Sequence, residues 1–286
     1  MSSFRLCSDL HLEFLESSKL NIFINKSVLL QKERKADYLI LAGDICSFDT
    51  NNKLERLLFN LSPLYKHIFY VVGNHEFYLG DSNCDKSSLL NDNYYNNVIK
   101  GYKNICSKFN NVILLNNSSF RIKNPPNNHI IVYGTPLWTN INEQTYLAMN
   151  DKRTLSHSTI LAEHIKSVNG IRDFLGNDGD DENVKKIIIT HHVPVEELLD
   201  EKYKDDKYYS KYISGYASNI GREIIDNLDD KLILFWLYGH THKRSYNKMG
   251  NIEFICNPYG YPNENGDYKA GRDLKFFEKY DLIINL

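Results

Sequence analysis

The stretch Phe4-Arg-Leu-Cys-Ser-Asp-Leu-His11 is a short apolar run that breaks into a carboxylate and an imidazole two residues apart. In an extended segment residues two apart point the same way. Asp9 and His11 can therefore aim two ligands at one point. The construction recurs four times. Tyr38–Leu41 runs into Ala42-Gly43-Asp44, and Ile68–Val72 into Gly73-Asn74-His75-Glu76. Lys186–Thr190 runs into His191-His192-Val193-Pro194, and Leu232–Tyr238 into Gly239-His240-Thr241-His242.

Further β-branched or aromatic runs predict strands over Val112–Leu115, Ile130–Tyr133, Ile252–Cys256 and Tyr280–Ile284. Helical spacing is clearest over Leu155–Leu175, where Ile160, Leu161, Ile165, Val168, Ile171 and Leu175 share a stripe. Lys53–Leu61 and Asn219–Leu228 repeat the pattern in shorter form. Strand and helix alternating throughout read as one α/β domain over residues 1–286. Such sheets build their sites at the carboxyl ends of the strands, and all five motifs fall there. The polar stretches Tyr78–Asn97 and Glu196–Tyr216 read as long loops, and Asn177–Glu182 as an exposed acidic turn.

Composition narrows the classes. With 42% hydrophobic and 24% charged residues among 286, the chain is neither disordered nor fibrous. Lys and Arg number 34 against 36 Asp and Glu, so no overall field favours a polyanion. The five cysteines form no Cys-x-x-Cys pair, which suits reduced thiols in a cytoplasmic setting. The N-terminus lacks a signal-peptide pattern. No apolar run approaches the roughly 20 residues that cross a bilayer, so no membrane partner is expected.

The strand ends deliver carboxylate oxygen, amide oxygen and imidazole nitrogen, and no thiolate. Mixed O/N ligation suits Mn, Fe, Zn, Ni or Co. Asp9, His11, Asp44, Asn74, His191, His240 and His242 are too many ligands for one ion but fit two, about 3.5–4 Å apart and sharing a carboxylate. Gly43, Gly73 and Gly239 each precede a ligand, where the backbone must turn sharply.

The ordered set Asp-x-His, Gly-Asp, Gly-Asn-His-Glu, His and Gly-His-x-His, running from Asp9 to His242, resembles the calcineurin-like metallophosphoesterase superfamily. Ser8-Asp-Leu-His-Leu-Glu-Phe14, Gly134-Thr-Pro-Leu-Trp138, Met149-Asn-Asp-Lys-Arg153 and Asn257-Pro-Tyr-Gly-Tyr261 are similar to one group of its small members. The resemblance implies a four-layer αββα sandwich of two mixed sheets flanked by helices. It implies a first metal on Asp9, His11 and His242, a second on Asn74, His191 and His240, and Asp44 bridging them. It implies a phosphodiesterase or phosphatase in which hydroxide shared by the two ions attacks phosphorus. His75 would assist the leaving group, and Glu76 would orient His75 or a ligating histidine. The substrate expected is a small-molecule or nucleotide phosphate ester. A nuclease of the same fold and a non-catalytic interaction scaffold are the alternatives. Against the scaffold, every expected ligand position is filled.

Other candidates carry less. His67, His129, His157 and His164 follow no pattern, and His192 is expected to face away from its neighbour's site, with contact to the substrate or to an acceptor beside the site as the alternative. Asn150, Asp151 and Arg153 read either as a phosphate clamp or as a salt-linked helix start. Tyr94, Tyr95, Tyr203, Tyr208, Tyr209, Tyr212 and Tyr216 are read as tyrosines that hold lids on the domain rather than stack a base.

Overall fold

In a computed structural model, residues 2–26, 29, 36–79, 92–124, 128–176, 184–205, 209–227, 234–261 and 282–286 are described. The Asn177–Glu182 turn lies outside them, as do residues 80–91, Tyr208, and the ends of two expected strands (232–233 and 280–281).

The first sheet has the order β11-β1-β2-β3-β4: β1 is Ser3–Cys7, β2 Tyr38–Ala42, β3 His67–Val71, β4 Val112–Leu114 and β11 Ile283–Asn285. β1 to β4 pair in parallel, and β11 runs antiparallel against β1. The second sheet has the order β5-β6-β7-β8-β10-β9. Here β5 is Ser118–Asn124, β6 Asn128–Thr135, β7 Val184–Thr190, β8 Leu234–Tyr238, β9 Ser245–Met249 and β10 Ile252–Cys256. Its edge strands β5 and β9 are antiparallel, and the four between them parallel.

Parallel strands joined by long helical crossovers are covered on both faces, and alternate residues along each strand face alternate layers. Phe4, Leu6, Ile40, Phe69 and Val71 meet Val132, Ile187, Ile189, Leu237 and Ile255 in a core between the sheets. The alternate residues Leu39, Leu41, Ile68 and Tyr70 face a helical layer. There α2 (Asn51–Leu61) buries Leu54, Leu57, Leu58 and Leu61, each contributing about 1.5–3 kcal/mol. On the far side Ile188, Trp236, Tyr238 and Phe254 pack beneath α5 (His157–Gly176) and α7 (Ile220–Asn227). The layers are helix, sheet, sheet, helix.

Several elements depart from expectation. The stretch read as a loop over Tyr78–Asn97 contains the start of α3 (Asp92–Cys106). Tyr94, Tyr95, Val98, Tyr102 and Ile105 form its buried stripe, while Asn93, Asn96 and Asn97 on the outer face make it read as polar. Glu196–Tyr216 folds into short helical pieces, Glu196–Leu198, α6 (Glu201–Asp205) and Tyr209–Gly215. In α5 the expected stripe is broken at Ile165, which is 59% exposed, and Glu163 and Ser167 lie inward instead. Strands β5 and β9 were not anticipated: they are edge strands with polar sequences, and β9 alternates between half-buried and exposed residues.

Candidate metal centre

Asp9, Asp44 and Asn74 follow the carboxyl ends of the adjacent strands β1, β2 and β3. His191 and His240 follow β7 and β8, neighbours in the other sheet. The loops interlock: the Asp9 amide donates to the Gly43 carbonyl at 2.9 Å, and the Gly239 amide to the His191 carbonyl at 3.0 Å. The His240 amide donates to the Asp9 carboxylate at 3.0 Å, joining the two sheets.

The turns are unusual. Asp9, His11, Asp44, His240 and His242 all have positive φ, between 46° and 75°, where side chains other than glycine rarely sit. Each costs about 1–3 kcal/mol and persists only when its surroundings enforce it. Gly43, itself at φ +84°, stands so close to His191 that a Cβ would lie 2.3 Å from Nδ1 of that ring. A Cβ on Gly73 would lie 2.2 Å from Oδ1 of Asp44.

Seven expected ligands converge. Nε2 of His11 and Nε2 of His242 are 3.0 Å apart, and Nε2 of His242 is 3.5 Å from Oδ1 of Asp9. Nε2 of His191 lies 3.1 Å from Oδ1 of Asn74, 3.2 Å from Nδ1 of His240 and 3.3 Å from Oδ1 of Asp44. Asp44 turns its other oxygen, Oδ2, toward Nε2 of His11 at 3.9 Å. Two groups of ligand atoms, Asp9/His11/His242 and Asp44/His191/His240, each gather within 4.8 Å, and His75 joins His11 and Asp44 in a third.

The donor set fits cations. His11 gives its Nδ1 proton to Glu13 at 3.1 Å, and His191 its Nδ1 proton to the Ala42 carbonyl at 3.0 Å. In the neutral rings Nε2 then carries a lone pair. Those lone pairs face carboxylate, amide oxygen and imidazole, so acceptors meet acceptors unless positive charge lies between them. With protons alone in that role, burial pulls the His191 pKa down but Asp44 outweighs it, and the value is pushed up to about 9. Burial likewise opposes ionisation of Asp44, yet His191 and His75 hold its carboxyl well below the usual range.

Around this centre the structure corrects two expectations, for Glu76 and His192, and adds two residues. Glu76 orients neither His75 nor a ligating histidine. Its buried carboxylate accepts the amides of Asp44 at 3.0 Å, Ile45 at 2.8 Å and Gly73 at 2.7 Å, and the Tyr70 hydroxyl at 2.7 Å. Three short backbone approaches draw it into the turns themselves. The residue that holds His75 is Glu13, whose Oε1 lies 2.9 Å from Nδ1 of His75. On its other side Nε2 of His75 lies 3.0 Å from the Tyr261 hydroxyl. Glu13 and Tyr261 stand within motifs that the resemblance quoted, Ser8–Phe14 and Asn257–Tyr261, which was the available signal.

His192 is buried rather than turned to solvent. Its Nδ1 lies 3.1 Å from the Pro136 carbonyl, and its ring packs 4.5 Å from that of His240. Burial and the His191 charge lower its pKa to about 3, so it supports His240 as a neutral ring. Asp151 is buried and accepts the Tyr78 hydroxyl at 3.1 Å, while that oxygen accepts the Asn74 amide at 2.8 Å. This chain leaves Oδ1 of Asn74 facing His191. Among the tyrosines, Tyr203 packs 4.9 Å from Tyr216, itself 5.6 Å from the His240 ring.

Residues 3–244 match the calcineurin-like phosphoesterase family. The chain belongs to that family. An uncharacterized protein (L509) of Acanthamoeba polyphaga mimivirus is 28% identical over 288 residues, spanning 94% of each chain. Among solved structures, the phosphopantetheinyl hydrolase PptH of Mycobacterium tuberculosis superposes with a TM-score of 0.65 at 15% identity, covering 96% of this chain and 94% of that one. At that identity the likeness is one of fold, and the fold it shares is the two-sheet αββα sandwich described above. Metal-dependent phosphoesterases make up most of the family. No helix among the described residues is long and apolar enough to cross a membrane.

Proposed function

We propose that this chain is a phosphoesterase dependent on two divalent cations, hydrolysing a phosphodiester or phosphomonoester. Asp9, His11 and His242 would hold one cation, and Asn74, His191 and His240 the other. The observation that carries the reading is Asp44, whose Oδ1 lies 3.3 Å from Nε2 of His191 while Oδ2 lies 3.9 Å from Nε2 of His11. One carboxylate thereby serves both ligand groups. Oxygen and imidazole donors suit Mn, Fe, Zn, Ni or Co. When bound, such a pair supplies Lewis acidity and a water whose pKa falls from 15.7 to about 7.

The protein's own groups do the rest. His75 is the proton donor to the departing oxygen. Burial works against its charged form, but Asp44 and the Glu13 hydrogen bond outweigh that and raise its pKa above the ordinary histidine value. Glu13 fixes Nδ1, so Nε2 is the atom that gives the proton, at the position where the Tyr261 hydroxyl lies 3.0 Å away. A positioned acid of this kind contributes typically about 10²–10⁴ in rate. Asn74 is held in its ligating orientation by Tyr78 and Asp151.

The test is to strip the protein with chelator and restore Mn, Fe, Zn, Ni or Co singly. Metal content is then measured beside turnover of mono- and bis(4-nitrophenyl) phosphate. Two ions per chain and restored turnover are expected. No bound ion, or no turnover of either ester with any ion, overturns the reading.

A further inference from the structure

Next to the centre lies a cleft of about 360 Å³ with two unlike walls, and His75 lines it between them. One wall is aromatic. Phe14 is 56% exposed, with its ring 5.6 Å from Tyr261 and 6.2 Å from His75. An exposed phenylalanine at the mouth of a polar site is a surface for a flat or apolar group.

The other wall is the single helical turn Asn150–Arg153 with Thr154 after it. Its donors have nothing to donate to. Among the described residues the Arg153 guanidinium has neither an ion pair nor a hydrogen bond, and the exposed Asn150 amide has no partner. Thr154 is 3% exposed, and its Oγ1 is a buried polar atom without a partner. Buried hydroxyls are almost always satisfied, so an orphan lining a cleft calls for a ligand oxygen.

The turn is not loosely placed. Asp151 anchors it through Tyr78 to Asn74, so the turn that carries these donors is tied to the centre. Of the acids in the same cleft, Glu13 holds His11 and His75 on Oε1 alone, and Asp49 accepts the Ser47 hydroxyl at 2.6 Å.

We propose that this cleft receives the organic arm of the ester, and that the arm carries a second phosphate held by Arg153, with Asn150 and Thr154 as further donors. The inference rests on the phosphoesterase reading and narrows its substrate class to esters bearing two phosphates joined by an organic group with a flat face. A guanidinium fork, an amide and a hydroxyl lining one wall suit a tetrahedral anion.

The test compares adenosine 3′,5′-bisphosphate with 5′-AMP on the manganese-loaded protein by calorimetry. The two probes share ring and one phosphate and differ in the second. The native protein is expected to bind the bisphosphate at least about tenfold more tightly, the scale of one charge-assisted contact. In Arg153→Ala that ratio falls to within about twofold, and in Thr154→Val to an intermediate value. Both sites tolerate the change, since Arg153 is exposed and valine replaces a hydroxyl that has no partner. A ratio near one in the native protein, or a ratio unchanged by Arg153→Ala, overturns the inference. Turnover of bis(4-nitrophenyl) phosphate, measured in parallel, judges the phosphoesterase reading separately, because neither of its aryl arms carries a second phosphate.

Discussion

Oε1 of Glu13 stands 2.9 Å from Nδ1 of His75 and takes Nδ1 of His11 on the same oxygen at 3.1 Å. One carboxylate therefore sets the tautomer of an expected metal ligand and of the expected acid. Burial opposes its ionisation, but the two histidines hold its pKa below the usual carboxylate range. Its second oxygen is buried without a partner.

Glu13→Gln keeps an acceptor of the same shape and removes the charge. At saturating metal, turnover is expected to fall by about 10–100-fold, the usual effect of altering a group behind a ligand. The fall should be steeper for esters with poor leaving groups than for 4-nitrophenyl esters, if His75, the proposed proton donor, loses its support. A series of aryl phosphates spanning leaving-group pKa checks this. A uniform loss across the series would assign Glu13 to His11 alone.

Glu76→Gln acts on the fold instead. The wild-type carboxylate takes four donors, three of them backbone amides of the Asp44 and Gly73 turns. Burial and then the Asp44 charge raise its pKa to about 7 against the pull of those donors. A glutamine amide would point its own N–H groups at N–H groups. Stability is expected to drop by about 1–3 kcal/mol, the cost of a buried donor left unpaired. Urea unfolding of metal-free protein reads it directly.

The contrast between these two glutamates shows what the sequence made legible. Each expected ligand follows a short strand buried on both faces, which reads in the sequence as a continuous apolar run, a local pattern that single-sequence reading captures. The adjacency of Glu76 to His75 in the chain suggested a direct contact, but the single helical turn His75–Phe77 sends the Glu76 side chain back beneath Asp44 instead. Glu13 and His75 are 62 residues apart, a pairing that only the packing of β1 beside β2 and β3 creates. The helix α3 was hidden for a different reason: asparagines on its outer face mask a tyrosine-rich inner stripe. The strained turns at Asp9, His11, Asp44, His240 and His242 leave only a weak mark in residue type: none is glycine, though aspartate and histidine enter positive φ more readily than most.

Asp44→Asn tests the proposed bridging ligand. An amide has the shape of the carboxylate but no charge to balance two cations. Elemental analysis is expected to find fewer than two ions per chain. Turnover should fall at least about a hundredfold, because the loss reaches both ligand groups at once. Two tightly held ions in the variant would remove Asp44 from the bridging position.

Gly73→Ala places a methyl group 2.2 Å from Oδ1 of Asp44 and 2.7 Å from its amide nitrogen, so the Asp44 turn must shift. The amide is already bonded to Glu76 at 3.0 Å. Overpacking of this kind costs about 1–3 kcal/mol. A lower thermal midpoint and weaker metal retention are expected together. A stable variant with full metal content would show that the Asp44 turn has room to move.

A last prediction concerns pH and lies away from the site. Asp37 joins the starts of three strands: its Oδ2 accepts the Ser3 amide at 3.1 Å, and its Oδ1 pairs with Lys66 at 2.7 Å. Burial is the largest single influence and raises its pKa, but the Lys66 and Ser3 contacts together outweigh it and the value is lowered. A carboxyl whose folded pKa is depressed contributes its full stabilisation above the unfolded value, about 3.9. That contribution disappears as pH falls through the folded value. Native protein should therefore exceed Asp37→Asn in urea midpoint at pH 6, and the gap should close on acidification below about pH 3.9, where the native carboxyl too becomes neutral. A gap independent of pH would mean that Asp37 acts through the geometry of its hydrogen bonds to Ser3 rather than through its charge.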